Sequence, residues 1–138
     1  MISYLRKPHF DAVAALLGRC LIAYLFAGAA VWHLRTSGWQ PTISDMQSHG
    51  VPMPKSLLIG AMTVSSLASL ALLVDWRSRW AAYTLAGYTL VVSSVMHSPM
   101  HAAGPDLFLY IKDLGIAGGL MSFGASTQVV QPSSIVSE

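Results

Sequence analysis

Four long apolar segments divide the chain, and each is close to the length that a helix needs to cross a lipid bilayer. They run over residues 10–34, 56–74, 80–97 and 106–124. A helix rises about 1.5 Å per residue, so about 20 apolar residues cross a hydrocarbon core about 30 Å thick. The pattern therefore predicts four transmembrane helices.

The connections between these segments predict how the helices are arranged. The turn DWRSRW is short, which favours antiparallel neighbours, whereas the first connection, residues 35–55, is long for a link between helices. Within it, Thr42–Ser48 is predicted to form a short interfacial helix that stops at a Gly and the prolines after it. The predicted fold class is an all-α membrane protein, a four-transmembrane-helix up-and-down bundle with a short interfacial segment in the first outer loop. Residues 1–126 would form one membrane domain and residues 127–138 a cytoplasmic tail.

Basic residues predict the orientation of the bundle. Arg6 and Lys7 precede the first segment, and Arg77 and Arg79 lie in the turn between the second and third. Loops rich in Lys and Arg stay on the cytoplasmic side of a membrane. We therefore expect a multi-pass protein of a bacterial-type inner (plasma) membrane, with both termini cytoplasmic.

Composition supports a membrane protein and excludes several other classes. The chain is 54% hydrophobic and 10% charged, with a mean hydropathy of +0.54, whereas a soluble domain carries about 25% charged residues. The net charge of +2 is too small to indicate nucleic-acid binding. A single cysteine, Cys20, excludes an internal disulfide. The predicted partners are the lipid bilayer and either other membrane-complex subunits or further copies of the chain.

Three charged residues lie well inside apolar segments, away from the segment ends, and need an explanation. Arg19 interrupts the first segment, and Lys112 and Asp113 stand together in the fourth. Counted at about 1.5 Å per residue, Arg19 and Asp113 lie roughly 13 and 10 Å deep from opposite faces. An unpaired charge at mid-bilayer costs at least about 2.5–3.5 kcal/mol. We therefore predict that Arg19 and Asp113 form an ion pair inside the bundle, with Lys112 reaching toward the outer interface.

Such a pair has two interpretations. It is either a structural ion pair that fixes helix register, or part of a polar lining that contacts a quinone headgroup, a proton path or a small ligand. Intramembrane ionisable groups are functional candidates by default. Arg19, Lys112 and Asp113 are therefore the candidate ligand-binding or quinone-binding residues, and catalytic residues stay unassigned.

Histidines gather at the predicted outer face and raise the question of a metal or haem. His33 ends the first segment, His97 ends the third, and His101 follows it. Neutral imidazoles bind metals and haem iron. A regular helix through His97 and His101 is disfavoured by Pro99 between them. Haem would need two histidines at matched depth on facing helices, and His33 with His97 is the one candidate pair. Because polar residues collect at membrane rims in any case, haem is disfavoured, and quinone stays the open cofactor.

Four stretches together resemble the DoxX family of small four-helix membrane proteins. They are GRCLIAYLFAGAAVWHL, HGVPMP, LALLVDWRSRWAAYTLA and YIKDLGIAGGLM, and the resemblance covers roughly residues 16–123. The chain departs from the family where a Glu in the second helix is replaced by Ser65 or a neighbour. It departs again where a Lys near the end of the first helix gives way to residues 31–33, and where a Lys-Asn pair becomes Lys112-Asp113.

The resemblance implies an association with membrane oxidoreductase assemblies. Relatives include a subunit of a thiosulfate:quinone oxidoreductase and a member of a redox-stress complex. The expected function is an integral membrane subunit of a redox (respiratory or oxidoreductase) complex that anchors or assembles its partners. The alternatives are a quinone-interacting oxidoreductase component, which would make the chain a quinone-linked enzyme subunit, and a small-molecule transporter that uses the polar bundle core.

Replacing Asp113 by Asn separates the two interpretations of the intramembrane charges. If the charge serves ligand or proton chemistry, Asp113→Asn folds as the wild type does, by circular dichroism in micelles, and loses activity of the complex that contains it. A variant that fails to fold would instead support a structural role.

Overall fold

The chain is a series of α-helices. The structure, a computed structural model, describes residues 8–97 and 104–126, and no β-strand occurs in these ranges. Five helices follow one another: α1 (Pro8–Leu34), α2 (Thr36–Ser48), α3 (Pro54–Leu73), α4 (Ser78–Met96) and α5 (Pro105–Ser126).

The all-helical fold is confirmed, and each apolar segment is one helix whose ends lie within two residues of the predicted ends. Among the described residues, three helical stretches are long and apolar enough to cross a membrane: Ala12–Leu34, Pro54–Leu73 and Pro105–Ser126. The helix α4 is not one of them, so a bundle of four spans stays a prediction. The predicted tail, residues 127–138, lies outside the described residues.

The chain forms two compact units, and the first, residues 1–76, contains α1 to α3. In this unit α1 packs against α3. The side chains that α1 buries are Ala23, Phe26 and Ala30, whose spacing places them on one helix face. The face that α3 buries is made mostly of small side chains, Ser65, Ala68 and Ser69 among them. Small residues let helix backbones approach closely, which is the main source of helix association in lipid.

The short helix α2 is longer than predicted. It begins at Thr36 and not at Thr42, and it includes Pro41. Only Arg35 separates it from α1, and the backbone N–H of Arg35 donates to the carbonyl oxygen of Trp32 at 3.2 Å. The chain bends between α1 and α2, and the bend requires Gly at residue 38, because a Cβ there would overlap the carbonyl oxygen of Trp32.

The second unit, residues 77–138, contains α4 and α5 packed against each other. The face that α4 buries carries small and hydroxyl side chains; its members are Ser78, Ala81, Ala82, Leu85, Ala86, Thr89 and Ser93. From α5 come Ala117, Leu120 and Gly124. A Cβ on Gly124 would lie 2.9 Å from the ring of Tyr83 on α4, so the two helices are in close contact there.

Replacing Gly38 by Ala tests the bend between α1 and α2. Because the new methyl group meets backbone rather than a movable side chain, we expect Gly38→Ala to lower the free energy of unfolding by about 1–3 kcal/mol. The matched control is Gly28→Ala on α1, where a Cβ would meet no other atom within 4 Å. Titration with sodium dodecyl sulfate in mixed micelles measures both, and equal stability of the two variants would contradict the role of Gly38.

Candidate functional site

An ion pair joins α1 to the chain directly after α3. Arg19 Nη2 lies 2.9 Å from Asp75 Oδ1, a distance typical of a charge-assisted hydrogen bond. The side chain of Arg19 is 20% exposed and that of Asp75 57% exposed. The arginine is thus largely enclosed, and the aspartate stands at the rim of the unit.

The backbone at Asp75 adopts a conformation that usually favours glycine. Its φ is 60°, and it follows Val74, the C-cap of α3. The N–H of Trp76 donates to Ala71 O at 2.9 Å and the N–H of Asp75 to Leu72 O at 3.3 Å, which is the Schellman pattern of helix ends. A left-handed residue with a side chain costs roughly 1–2 kcal/mol. Pairing of the carboxylate with Arg19 offsets only part of that cost, because an ion pair with an exposed partner contributes about 0–1 kcal/mol.

The prediction for Arg19 named a different partner. Sequence reasoning compared Arg19 only with acids inside apolar segments, and so it missed Asp75, which stands just beyond the last apolar residues of α3. The signal was available, because the end of α3 and the beginning of α1 are predicted at the same cytoplasmic face. A pairing of Arg19 with Asp113 would join the two units, and it stays a prediction.

His33 is held in one tautomer by a hydrogen-bond chain at the junction of α1 and α2. The hydroxyl of Thr42 donates to the carbonyl oxygen of Gly38 at 2.7 Å. Nδ1 of His33 lies 3.0 Å from the same Thr42 oxygen. Since a hydroxyl has one hydrogen, the N–H on Nδ1 must donate to Thr42, and in the neutral ring Nε2 is left as an acceptor.

The structure adds no metal-binding cluster to this arrangement. Among residues 12–35, 38–97 and 104–126, whose side chains the structure describes, no three His, Cys, Asp or Glu side chains lie together in a way that could hold a metal ion. His101 lies outside the described residues, and the pairing of His33 with His97 would join the two units. The haem pair therefore stays a prediction.

In the second unit, the charged residues of α5 lie close to each other. Lys112 Nζ is 3.5 Å from Asp113 Oδ1. The lysine side chain is 48% exposed and the aspartate 19% exposed. The carboxylate is therefore the more enclosed of the two charges.

A second pair links the end of α4 to the start of α5. His97 Nδ1 lies 3.7 Å from Asp106 Oδ1, so the two groups attract each other when the imidazole is protonated. Asp106 also lies in the first turn of α5, where a negative charge is favourable at a helix N-terminus. The signal for a pair was that one residue ends an apolar segment and the other begins the next, at one predicted face.

Aromatic side chains surround Arg79 at the opposite end of this unit. The guanidinium carbon lies 5.5 Å from the centre of the Trp80 ring and 5.7 Å from that of Tyr83. These distances are within the range of cation–π attraction. The arrangement keeps a positive charge beside the first turn of α4, where the sequence predicts the cytoplasmic interface.

Long apolar helices that carry few charges define the class of the protein: it is a multi-pass α-helical membrane protein. The comparisons give the family. The model of the DoxX family matches residues 14–98, more than half of the chain, so the chain belongs to the DoxX family. The matched range includes Arg19, Asp75 and His97; Lys112 and Asp113 lie beyond it.

A curated relative agrees with this assignment. Inner membrane protein YqjF of Escherichia coli (strain K12) is 30% identical over 114 residues, which are 80% of this chain and 82% of the relative. Together with the apolar helices, this similarity supports a multi-pass inner membrane protein. No solved structure matches the chain.

Substitutions at Asp75 separate two contributions to the free energy of unfolding: the stabilisation by its charge and the destabilisation by its left-handed backbone. Asp75→Asn keeps a residue that tolerates positive φ and removes the charge, so we expect a loss of about 1 kcal/mol of unfolding free energy. Asp75→Gly removes both, and it should be more stable than Asp75→Asn by up to about 1 kcal/mol.

The control for this experiment is a double-mutant cycle with Arg19→Gln in mixed micelles. The two substitutions should not be additive, since either alone breaks the pair. Additive losses in unfolding free energy would show that the pair contributes nothing to stability.

Proposed function

We propose that the protein is an integral inner-membrane subunit of a redox complex, in which it anchors or assembles partner proteins. Membership of the DoxX family supports this role, since the family includes subunits of membrane oxidoreductase assemblies. The single observation that carries it furthest is how few polar groups the helices direct outward. Most large side chains exposed on α1 and α3 are apolar, such as Leu21, Tyr24 and Leu67. In a membrane, such surfaces contact lipid or other helices.

The proposed architecture is four spans with both termini in the cytoplasm. The distribution of side chains on α4 supports a fourth span. Three of its five Ser and Thr residues, Ser78, Thr89 and Ser93, are buried, and the other two, Thr84 and Ser94, are exposed. The exposed face also carries Val91, Val92 and Val95. The mean hydropathy of α4 counts its buried polar residues as fully as its exposed apolar ones. The exposed face of α4 is therefore more apolar than the mean hydropathy of the whole helix indicates.

The second candidate is a quinone-interacting component, with Arg19, Lys112 and Asp113 as the proposed contacts. The half-exposed Lys112 beside the more enclosed Asp113 favours it. An ammonium group donates hydrogen bonds to a quinone carbonyl, and a carboxylate accepts them from a quinol hydroxyl. A transporter that uses the same polar groups is the remaining alternative.

The test is gentle extraction of the tagged full-length protein from its native membrane, followed by mass spectrometry of all bound proteins and lipids. The subunit role predicts a partner that remains bound in fixed ratio and carries flavin, haem or iron–sulfur absorption. Lys112→Gln is a sensitive variant for the quinone role, because it keeps a polar side chain and loses the charge.

Three outcomes distinguish the proposals. A redox-active partner in fixed ratio supports the subunit role. Quinone bound to the purified wild type and depleted in Lys112→Gln supports the second candidate, with Lys55→Gln, outside the apolar segments, as the matched control. A protein that emerges alone, without quinone, and carries solute flux in liposomes would contradict both.

A further inference from the structure

Two contacts fix how α4 and α5 lie alongside each other. Tyr83 on α4 meets Gly124 near the end of α5, and His97 after α4 meets Asp106 near the start of α5. The helices are therefore antiparallel. Interpolation along the two helices, at about 1.5 Å per residue, places Ser93 level with roughly residue 111 of α5. Ser93 and Asp113 thus lie within about one helical turn of each other along the helix axes.

Asp113 also lies on the face of α5 that α4 covers. The buried residues of that face are Ala117, Leu120 and Gly124, spaced by three and four positions. Continuing the same spacing toward the start of the helix gives Asp113, Tyr110 and Asp106. Residues three and four apart share a helix face. This face of α5 is therefore apolar in the second half of the helix. In the first half it carries the carboxyl groups of Asp106 and Asp113 and the phenol of Tyr110.

In the same region, two buried polar atoms make no hydrogen bond within the described part of the chain. They are Oγ of Ser93, a residue only 1% exposed, and Nδ1 of His97, which at 3.7 Å from Asp106 Oδ1 is beyond hydrogen-bond distance. Ser93 differs in this from Thr89, one turn away, whose hydroxyl donates to Leu85 O at 2.8 Å. A buried hydroxyl without a partner costs about 1–3 kcal/mol. Ser93 and His97 are four residues apart, so both lie toward the same side of the helix, where a hydroxyl and an imidazole can each donate and accept a hydrogen bond.

We propose that the half of the α4–α5 interface next to His97 and Asp106 is a proton-access path that ends at Asp113. From the membrane face, the groups follow in the order Asp106, His97, Ser93 and Asp113. The two aspartates are about 10 Å apart along α5, so water must complete the chain. Chains of carboxyl and imidazole groups are the usual proton relays of membrane proteins.

The chemistry is the reversible protonation of one carboxylate. A proton leaves a hydronium ion at the surface, passes through His97 and the hydroxyl of Ser93, and binds Asp113, which becomes a neutral carboxylic acid. Lys112, Asp106 and Tyr110 on α5 are the other ionisable groups near this path, and α4 faces it with His97. Arg79 and Tyr83 lie at the far end of α4, and Tyr88 lies between them and Ser93.

The path does not cross the membrane. Beyond Asp113 the shared face continues with Ala117 and Leu120, both buried and apolar. Asp113 therefore exchanges protons with one face only, and the protein should not conduct protons between the two faces. Proton exchange with one membrane face suits a carboxyl group that takes protons from, or gives them to, a molecule bound at the same depth in the membrane as Asp113. The inference does not depend on the proposed redox complex, because it concerns the isolated chain.

The test follows protonation of Asp113 in the full-length protein in lipid nanodiscs. After a rapid drop in pH, time-resolved infrared spectroscopy detects the protonated carboxyl band, which is assigned by its loss in Asp113→Asn. We expect His97→Ala and Ser93→Ala each to slow the appearance of the band by roughly tenfold or more. Added imidazole should restore the rate in His97→Ala, which a purely structural role for His97 would not explain.

Thr89→Ala is the matched control, because it removes a buried hydroxyl from the same helix at a level beyond Asp113. Its rate should equal that of the wild type, and circular dichroism verifies that every variant is folded. A band that never appears in the wild type would overturn the proposal. So would equal rates in Ser93→Ala, His97→Ala and Thr89→Ala.

Discussion

The absence of water in a bilayer core constrains every polar group of this chain. In hydrocarbon, a donor or acceptor without a partner costs several kcal/mol, so each group must find one inside the protein. The hydroxyls of α3 do so locally: Thr63, Ser65 and Ser69 donate to backbone carbonyls three or four residues earlier, at 2.8–3.2 Å. Arg19 cannot be satisfied in this way, and it depends on Asp75, held by a left-handed backbone at the end of α3. Ser93 Oγ and His97 Nδ1 are buried and make no hydrogen bond within the described residues. The proposed proton path passes through this region.

Much of the fold could be predicted from the sequence, because hydrophobic length alone determines where membrane helices form. The ends of α1, α3, α4 and α5 lie within two residues of the predicted ends. The start of α2 was wrong by six residues, since Pro41 and Gly38 are signals that usually interrupt helices. Here Gly38 is needed for a different reason, the close approach of the Trp32 carbonyl, which no local pattern encodes.

The candidate site was harder to predict, because pairing depends on distances between helices. The sequence selected Arg19, Asp113 and His97 as candidate residues, but it did not lead to Asp75 and Asp106, the residues that the structure places near Arg19 and His97. Depth counting favoured acids within apolar segments and passed over Asp75. Asp106 begins the fourth apolar segment, and His97 ends the third, so the two lie at one predicted face. In both cases the partner stands at the end of an apolar segment, where counting depth inside the segments does not find it.

The central claim is that lipid surrounds α4 as well as the three more apolar helices, with the buried hydroxyl groups of Thr89 and Ser93 on the side of α4 that packs against α5. Cysteine labelling measures this most directly, since Cys20 is the one native cysteine and Cys20→Ser removes it. In that background, Val91→Cys should resist a water-soluble maleimide and react with a lipid-soluble one, whereas Lys55→Cys reacts with both. Equal and rapid labelling of Val91→Cys and Lys55→Cys by the water-soluble reagent would contradict the account.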